Sequence, residues 1–217
     1  MPDFNQIDTI LLDMDGTLLD LNFDNEFWLN HVPLRYSEKN HIELAQAQTH
    51  LFGLYQKVKG KLAWYSSDYW QETLDLPISE LEQELKHLIK MRPDTVPFLT
   101  ALKQAQKQLI LVTNAHPKSL KLKLACTGLA PYLDKIYSTH QFGYPKEYPQ
   151  LWAALAQELN YDATRTLFID DGEHLLAMAK QCGIGHLLGV ENPDSQAKVN
   201  LMTQFEGIQD FNTLLPL

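Results

Sequence analysis

A parallel β-sheet with helices on both faces, a doubly wound α/β fold that carries a helical cap domain inserted after its first strand, is the architecture this sequence predicts. Three observations predict it. Short apolar runs recur along the chain and lead into polar or glycine-bounded turns. Patterns of helical period stand between them. One long stretch, residues 20–92, holds helical patterns and no convincing strand. Apolar runs alternating with helices are the mark of parallel strands joined by crossover helices.

The first run, Ile7 to Leu12, ends in Asp13 and Gly16, as a buried parallel strand does when it enters a functional loop. Leu109-Ile110-Leu111-Val112 ends at Thr113, and Thr166-Leu167-Phe168-Ile169 ends at Asp170. His186-Leu187-Leu188-Gly189-Val190 follows a glycine-bounded turn. Helices are expected over Pro117 to Thr127, closed by Gly128, over Tyr148 to Leu159, and over His174 to Cys182, closed by Gly183. Within the insert, Ser79 and Glu82 have capping-box spacing, and Leu81, Leu85, Leu88 and Ile89 form one apolar stripe, which predicts a helix starting at Ser79. The division expected is a sheet domain of residues 1–19 and 93–217 and a helical cap of residues 20–92. Because the insert departs just after Asp13 and Asp15, it is placed to lie over them as a lid.

Composition narrows the function. A chain of 217 residues, 45% of them apolar, can bury a substantial core. A formal charge of -9 without any Lys/Arg cluster argues against binding a nucleic-acid polymer, so any nucleotide partner is a single one. Cys126 and Cys182 are too few for a disulfide framework; core packing and a reducing cytosol are the expectation. The polar, acidic start from Met1 to Asp8 predicts neither export nor membrane insertion, and a cytoplasmic location is expected.

The polar ends of the runs carry the chemistry. Asp13 and Asp15, two apart at a strand end, point to the same side, and Gly16 lets the chain turn away. Two such carboxylates can divide a phosphoryl transfer: one attacks phosphorus, the other protonates the departing oxygen and later takes a proton from water. Thr113 and Asn114 lead into a helix start, where a hydroxyl and free backbone N–H groups can cradle a phosphate. His116, in the same loop, could sense the substrate, although a surface histidine before a proline needs no special role. Lys146 follows the rigid loop Phe142-Gly143-Tyr144-Pro145, which would hold its ammonium where a phosphate dianion needs it among aspartates. Asp170 and Asp171 are adjacent carboxylates whose repulsion calls for a cation; magnesium suits oxygen ligands, and Cys or His ligands at zinc spacing are missing. Adjacent side chains on extended backbone diverge, so one of the pair binds the ion and the other supports it, with Asp171 favoured as the direct ligand. Each segment alone has an ordinary structural reading as a turn, a cap or solvated surface. It is the set in this order that points to a magnesium-dependent phosphatase.

Asp13-Met14-Asp15-Gly16-Thr17, Thr113-Asn114, Lys146 and Asp170-Asp171 together resemble the four signature motifs of the haloacid dehalogenase-like hydrolase superfamily. That resemblance implies Asp13 as nucleophile and metal ligand, and Asp15 as acid/base and metal ligand through its carbonyl. It further implies Thr113 as the phosphate-binding hydroxyl, Lys146 as the charge-balancing lysine, and Asp170-Asp171 as the acidic metal motif. Longer stretches, including Thr113-Asn114-Ala115-His116-Pro117 and Ser138 through Glu147, resemble the bacterial GMP/IMP nucleotidase family. Hydrolysis of purine nucleoside 5'-monophosphates is what this implies. The aromatics of the insert, Phe23, Phe27, Trp28, Tyr36, Phe52, Tyr55, Trp64, Tyr65, Tyr69 and Trp70, would then form mostly core, with some left as a face on which a base can stack. Other readings keep the fold and change the chemistry: a sugar phosphomutase, a carbon–halogen hydrolase, or a phosphate-binding module without catalysis. The presence of Asp15 and of the acid pair weighs against the halogen chemistry, which needs no metal and would not need Asp15.

Overall fold

The structure, a computed structural model, describes residues 2–217. Six parallel strands, β1 (Thr9–Leu12), β2 (Gln108–Thr113), β3 (Lys135–Ser138), β4 (Thr166–Asp170), β5 (His186–Val190) and β6 (Gly207–Ile208), lie in the order β3-β2-β1-β4-β5-β6. Strand order reverses beside β1, and in open parallel sheets the crevice outside the strand ends at such a reversal is where ligands bind.

Alternation along the strands sends side chains to two cores. Ile10, Leu12, Leu109, Leu111, Leu167 and Ile169 face one side, packed with Phe98, Leu99 and Leu102 of a helix at Thr95–Gln104 and with Leu120 of a helix at Pro117–Thr127. Leu11, Ile110, Val112 and Phe168 face the other, against Leu151, Trp152 and Leu155 of Pro149–Leu159 and Leu175, Leu176 and Ala179 of Glu173–Gln181. Each of these fully buried aliphatic side chains contributes roughly 2 kcal/mol by leaving water. The sheet is apolar on both faces because both are covered.

Between β1 and β2 the chain forms helices α1 (Asn22–Glu26), α2 (Val32–Asn40), α3 (Leu44–Val58), α4 (Ser67–Leu74) and α5 (Ile78–Glu84). The helices at Thr95–Gln104, Pro117–Thr127, Pro149–Leu159 and Glu173–Gln181 then become α6, α7, α8 and α9. A third apolar cluster, Phe27, Val32, Leu51, Tyr55, Trp70, Leu74, Leu76, Ile78 and Leu81, belongs to the insert alone. A π-helical turn at Phe27–His31 joins α1 to α2. The two chain crossings into the insert lie side by side: Asp20 N–H donates to the Lys90 carbonyl and Arg92 N–H to the Leu18 carbonyl. Arg92 is buried there, forked onto Asp94 and donating to the Asn192 and Gln209 carbonyls. Among the described residues no helix is long and apolar enough to cross a membrane.

Two expectations need correction. The helix expected from Ser79 begins at Ile78 behind Pro77, so Ser79 lies inside it, its hydroxyl is unpartnered, and the capping box does not form. Proline at the preceding position already sets the entry, and Glu82 is drawn to the interface with α7 instead of reaching back. Cys126 is exposed on the outer face of α7 and is no core residue, whereas Cys182 is half-buried and packs against the second core. β3, β6 and α6 had no counterpart in the sequence reading.

Candidate active site

The carboxyl ends of β1, β2 and β4 open into one cavity of about 370 Å³. Asp13, Thr113, Lys146, Asp170 and Asp171 line its floor, and Trp28, Trp64 and Tyr65 of the insert line its far wall. All the sequence-predicted site residues, Asp15 and Asn114 included, border it.

Strand register sets the floor. Leu12 is paired with both Leu111 and Ile169, and Asp13 N–H donates to the Ile169 carbonyl at 3.0 Å, which brings Asp13 beside Asp170. Lys146 arrives from the loop after β3 and is pinned through its backbone. Its N–H donates to Asn114 Oδ1 at 3.0 Å, and its carbonyl accepts from Trp152 Nε1 at 3.0 Å. Its ammonium then bridges the two strand ends, donating to Asp13 Oδ1 at 2.5 Å and Asp170 Oδ2 at 2.6 Å. The Phe168 ring lies beneath it, 5.7 Å from Nζ.

Asn114 therefore turns its amide into the protein. Besides Lys146 N–H it accepts from Thr139 Oγ1 at 3.0 Å and donates to Glu147 Oε2 at 3.2 Å. Thr113, 1% exposed, accepts the Ala115 N–H at 3.0 Å, so its hydroxyl proton remains free to donate. Gly16 has φ +86, and a Cβ there would fall 2.8 Å from Cγ and Oδ2 of Asp171. Glycine is thus required at this turn by its backbone and by the carboxylate packed on it.

Burial pushes the Asp13 carboxyl up to about 7; Lys146 pulls it down, and the charges of Asp170 and Asp15 push it up again. Burial, then Asp170 and Asp13, hold the Asp171 carboxyl well above the usual range. Burial works against the Lys146 charge, yet Asp13 and Asp170 outweigh it and hold the ammonium above the ordinary lysine value. Three carboxylates thus share one ammonium, and a further positive charge is what the cluster lacks. Asp13, Asp170 and Asp171 each offer an oxygen, all within 4.8 Å of one another. An all-carboxylate donor set of this kind fits an oxygen-seeking divalent cation. Both Asp170 oxygens are already engaged, Oδ1 by Gly172 N–H at 2.8 Å and Oδ2 by Lys146, which leaves Asp171 the less committed of the adjacent pair.

Sequence reasoning missed the other side of the cavity. Lys123 of α7 lies between Asp15 and Asp24 of α1, with a side chain only 2% exposed. Glu82 of α5 is buried beside it, its Oε2 unpartnered, and burial raises its carboxyl above the usual value. Tyr65 Oη donates to Glu147 Oε1 at 2.5 Å, and Lys118 Nζ pairs with Asp68 of α4 at 2.5 Å. His116 is no surface residue: its side chain is 12% exposed, lines the cavity and stands 3.7 Å from Asp68 Oδ2. Nothing in the local pattern of α7 separates Lys123 from Lys121, which is exposed.

The family description "haloacid dehalogenase-like hydrolase" matches residues 7–183. The chain is 46% identical over 213 residues to the GMP/IMP nucleotidase YrfG of Escherichia coli K12, covering 98% of this chain and 96% of that protein. Among solved structures, a HAD phosphatase from Thermococcus onnurineus superposes with a TM-score of 0.77 at 21% identity, covering 97% of this chain and 98% of that one. A putative β-phosphoglucomutase from Thermotoga maritima superposes at 0.67 and 18%, covering 96% and 97%. The chain belongs to the haloacid dehalogenase-like hydrolase family, and its fold is the α/β fold of those structures.

Proposed function

We propose, from this family membership and the geometry of the cavity, that the protein is a magnesium-dependent 5'-nucleotidase that hydrolyses purine nucleoside 5'-monophosphates such as GMP and IMP through a phosphorylated Asp13. The observation that carries the reading is the Lys146 bridge between Asp13 Oδ1 and Asp170 Oδ2 at the cavity floor. It immobilises one oxygen of Asp13 and leaves Oδ2 to attack. The attack forms the Asp13–phosphorus bond as the bond from phosphorus to the 5'-oxygen breaks; the bonding pair stays on that oxygen, and Asp15 supplies its proton. Water then attacks phosphorus, Asp15 takes the proton back, and Asp13 is released with inorganic phosphate. Thr113 Oγ1 and Lys146 Nζ hold the phosphoryl oxygens, and Asn114 acts mainly by fixing the Lys146 backbone. Asp13, the Asp15 carbonyl and Asp171, backed by Asp170, would hold magnesium. When bound, the ion offsets the negative charge gathered around the transferred group.

Residues 20–92 are proposed to act as a cap. Half-buried Trp28, Trp64 and Tyr65 face the cavity from it and offer rings on which a purine can stack, whereas Phe23 and Phe27 are core and Trp70, also buried, borders the cavity. The purine substrate is supported by the 46% identity to a GMP/IMP nucleotidase. Action in the cytoplasm is in keeping with the two unpaired cysteines.

The test is phosphate release from GMP, IMP, AMP, a sugar phosphate and p-nitrophenyl phosphate. Turnover of the purine nucleotides is expected, lost by about 10⁴-fold or more in Asp13→Asn and abolished by EDTA until magnesium is restored. Full activity in Asp13→Asn or in EDTA would overturn the proposal, and phosphate retained on the organic product would identify a mutase.

A further inference from the structure

Lys123 has no part in the reaction as described, yet it is buried as deeply as Lys146. Its Nζ lies 2.7 and 2.8 Å from the two carboxylate oxygens of Asp24, 2.8 Å from Asp15 Oδ1, and 5.3 Å from the centroid of Phe23. Three separate parts of the chain therefore meet at one ammonium: the loop after β1, the first helix of the insert, and α7 of the sheet unit. A buried ion cluster of this kind is a poor source of stability, because desolvation of the charges consumes most of the attraction. What such a cluster does provide is a fixed geometry.

That geometry distinguishes the two oxygens of Asp15. Oδ1 is buried 2.8 Å from Lys123 Nζ, an ion pair without hydrogen-bond alignment, and has no other partner. The side chain as a whole keeps 19% exposure and borders the cavity. We propose that Lys123 is a positioning residue that engages Oδ1 of Asp15, so that Oδ2 is the oxygen that gives and recovers the proton, and that Asp24 makes this orientation depend on the docking of α1. The proposal rests on the phosphatase reading above. The proton on Asp15 Oδ2 passes to the ester oxygen as its bond to phosphorus breaks and the bonding pair moves onto that oxygen. In the second half, Oδ2 takes a proton from the attacking water as the Asp13–phosphorus bond breaks and its pair returns to the carboxylate. Lys123 keeps all its protons. The insert thus acts on the acid/base group through a salt bridge, in addition to covering the site.

Two esters separate positioning from mere support of the fold. A nucleoside monophosphate releases an alkoxide, which needs a proton; p-nitrophenyl phosphate releases a phenolate, which does not. In the full-length magnesium-loaded protein, Lys123→Met is expected to lower kcat for IMP by about 10²-fold with KM little changed, the scale of a lost general acid. Release of the first equivalent of p-nitrophenolate, followed in a single turnover, should fall by less than about threefold, since no proton is needed there. Asp24→Asn keeps Lys123 on Asp15 but frees α1, and should show the same ester-selective pattern at roughly tenfold. Asp24 is the more exposed partner, at 23%, so this variant decides the matter even where Lys123→Met does not fold. Equal losses on both esters, or no loss on either, would overturn the inference. A wild-type protein that releases phosphate from neither ester would instead overturn the phosphatase reading and take this inference with it.

Discussion

Two lysines, one at the floor of the cavity and one at its boundary with the insert, are built from the same parts. Lys146 and Lys123 each have a side chain 2% exposed, each lie between two carboxylates, and each sit over a phenylalanine, Phe168 at 5.7 Å and Phe23 at 5.3 Å. In both, burial opposes the charge and the paired carboxylates overcome it, so both ammoniums are held above the ordinary lysine range. One carboxyl in each cluster, Asp13 at the floor and Asp24 at the boundary, is pushed up to about 7, chiefly by burial. The difference lies in what holds the partners. Asp13 and Asp170 are adjacent strand ends locked by register, whereas Asp15 and Asp24 stand on a loop and on an insert helix. The sheet supplies both partners of the first cluster, whereas a helix of residues 20–92 supplies one partner of the second. On the proposed mechanism, charge stabilisation falls to the first and positioning of the proton donor to the second.

Substitutions at the two places should therefore fail differently. Lys146→Met is the largest expected effect in this contrast, a fall in kcat of about 10²–10³-fold on every phosphate ester alike, because in the proposed mechanism Lys146 holds only the phosphoryl group. A loss confined to nucleotides would break the distinction between floor and boundary. Trp28→Ala, on the insert wall, should raise KM for GMP and IMP about tenfold through lost stacking while a small alkyl phosphate is turned over as before. Equal effects on both substrates would assign Trp28 to cap folding and not to recognition. The smallest effect concerns pH. His140 packs edge-on against His116 at 5.0 Å, near the Asp68 contact from α4, and its pKa is lowered to about 4 by burial first and then by His116. A folded pKa below the unfolded value of 6.5 means that protonation favours the unfolded chain, so this contribution is intact above about 6.5 and is lost as pH falls toward about 4. His140→Phe should flatten the decline in melting temperature across that window. An unchanged slope would show that other groups set the acid limit.

How much of this was legible depends on where each residue's constraints come from. β1, β2, β4 and β5 could be read because central parallel strands are buried on both faces and so run almost wholly apolar. β3 (KIYS) is half-exposed at the sheet edge and β6 is two residues long, so neither leaves a pattern. The Ser79–Glu82 spacing was a true local signal overridden by a tertiary one, since the Pro77 entry and the interface with α7 claim both residues. Asn114, a substrate-binding expectation, borders the cavity and also fastens the Lys146 backbone, a second role that only the fold reveals because the loop's buried N–H needs an acceptor.

Strand ends carry their chemistry in the chain itself: an apolar run that stops at Asp13, Thr113 or Asp170 announces both the burial that delivers the side chain and the edge at which it emerges. Sequence alone was sufficient for the four strands β1, β2, β4 and β5 and for bringing Asp13, Asp170, Asp171 and Lys146 forward as candidates, since each is encoded within a few residues. Lys123 and Asp24 are 99 positions apart, and α7 offers Lys121 and Lys123 in the same local setting, one solvated and one buried. Only the packing of the insert against α7 chose between them, because the partner that makes a buried ammonium tolerable is brought there by the tertiary fold and leaves no trace in either neighbourhood.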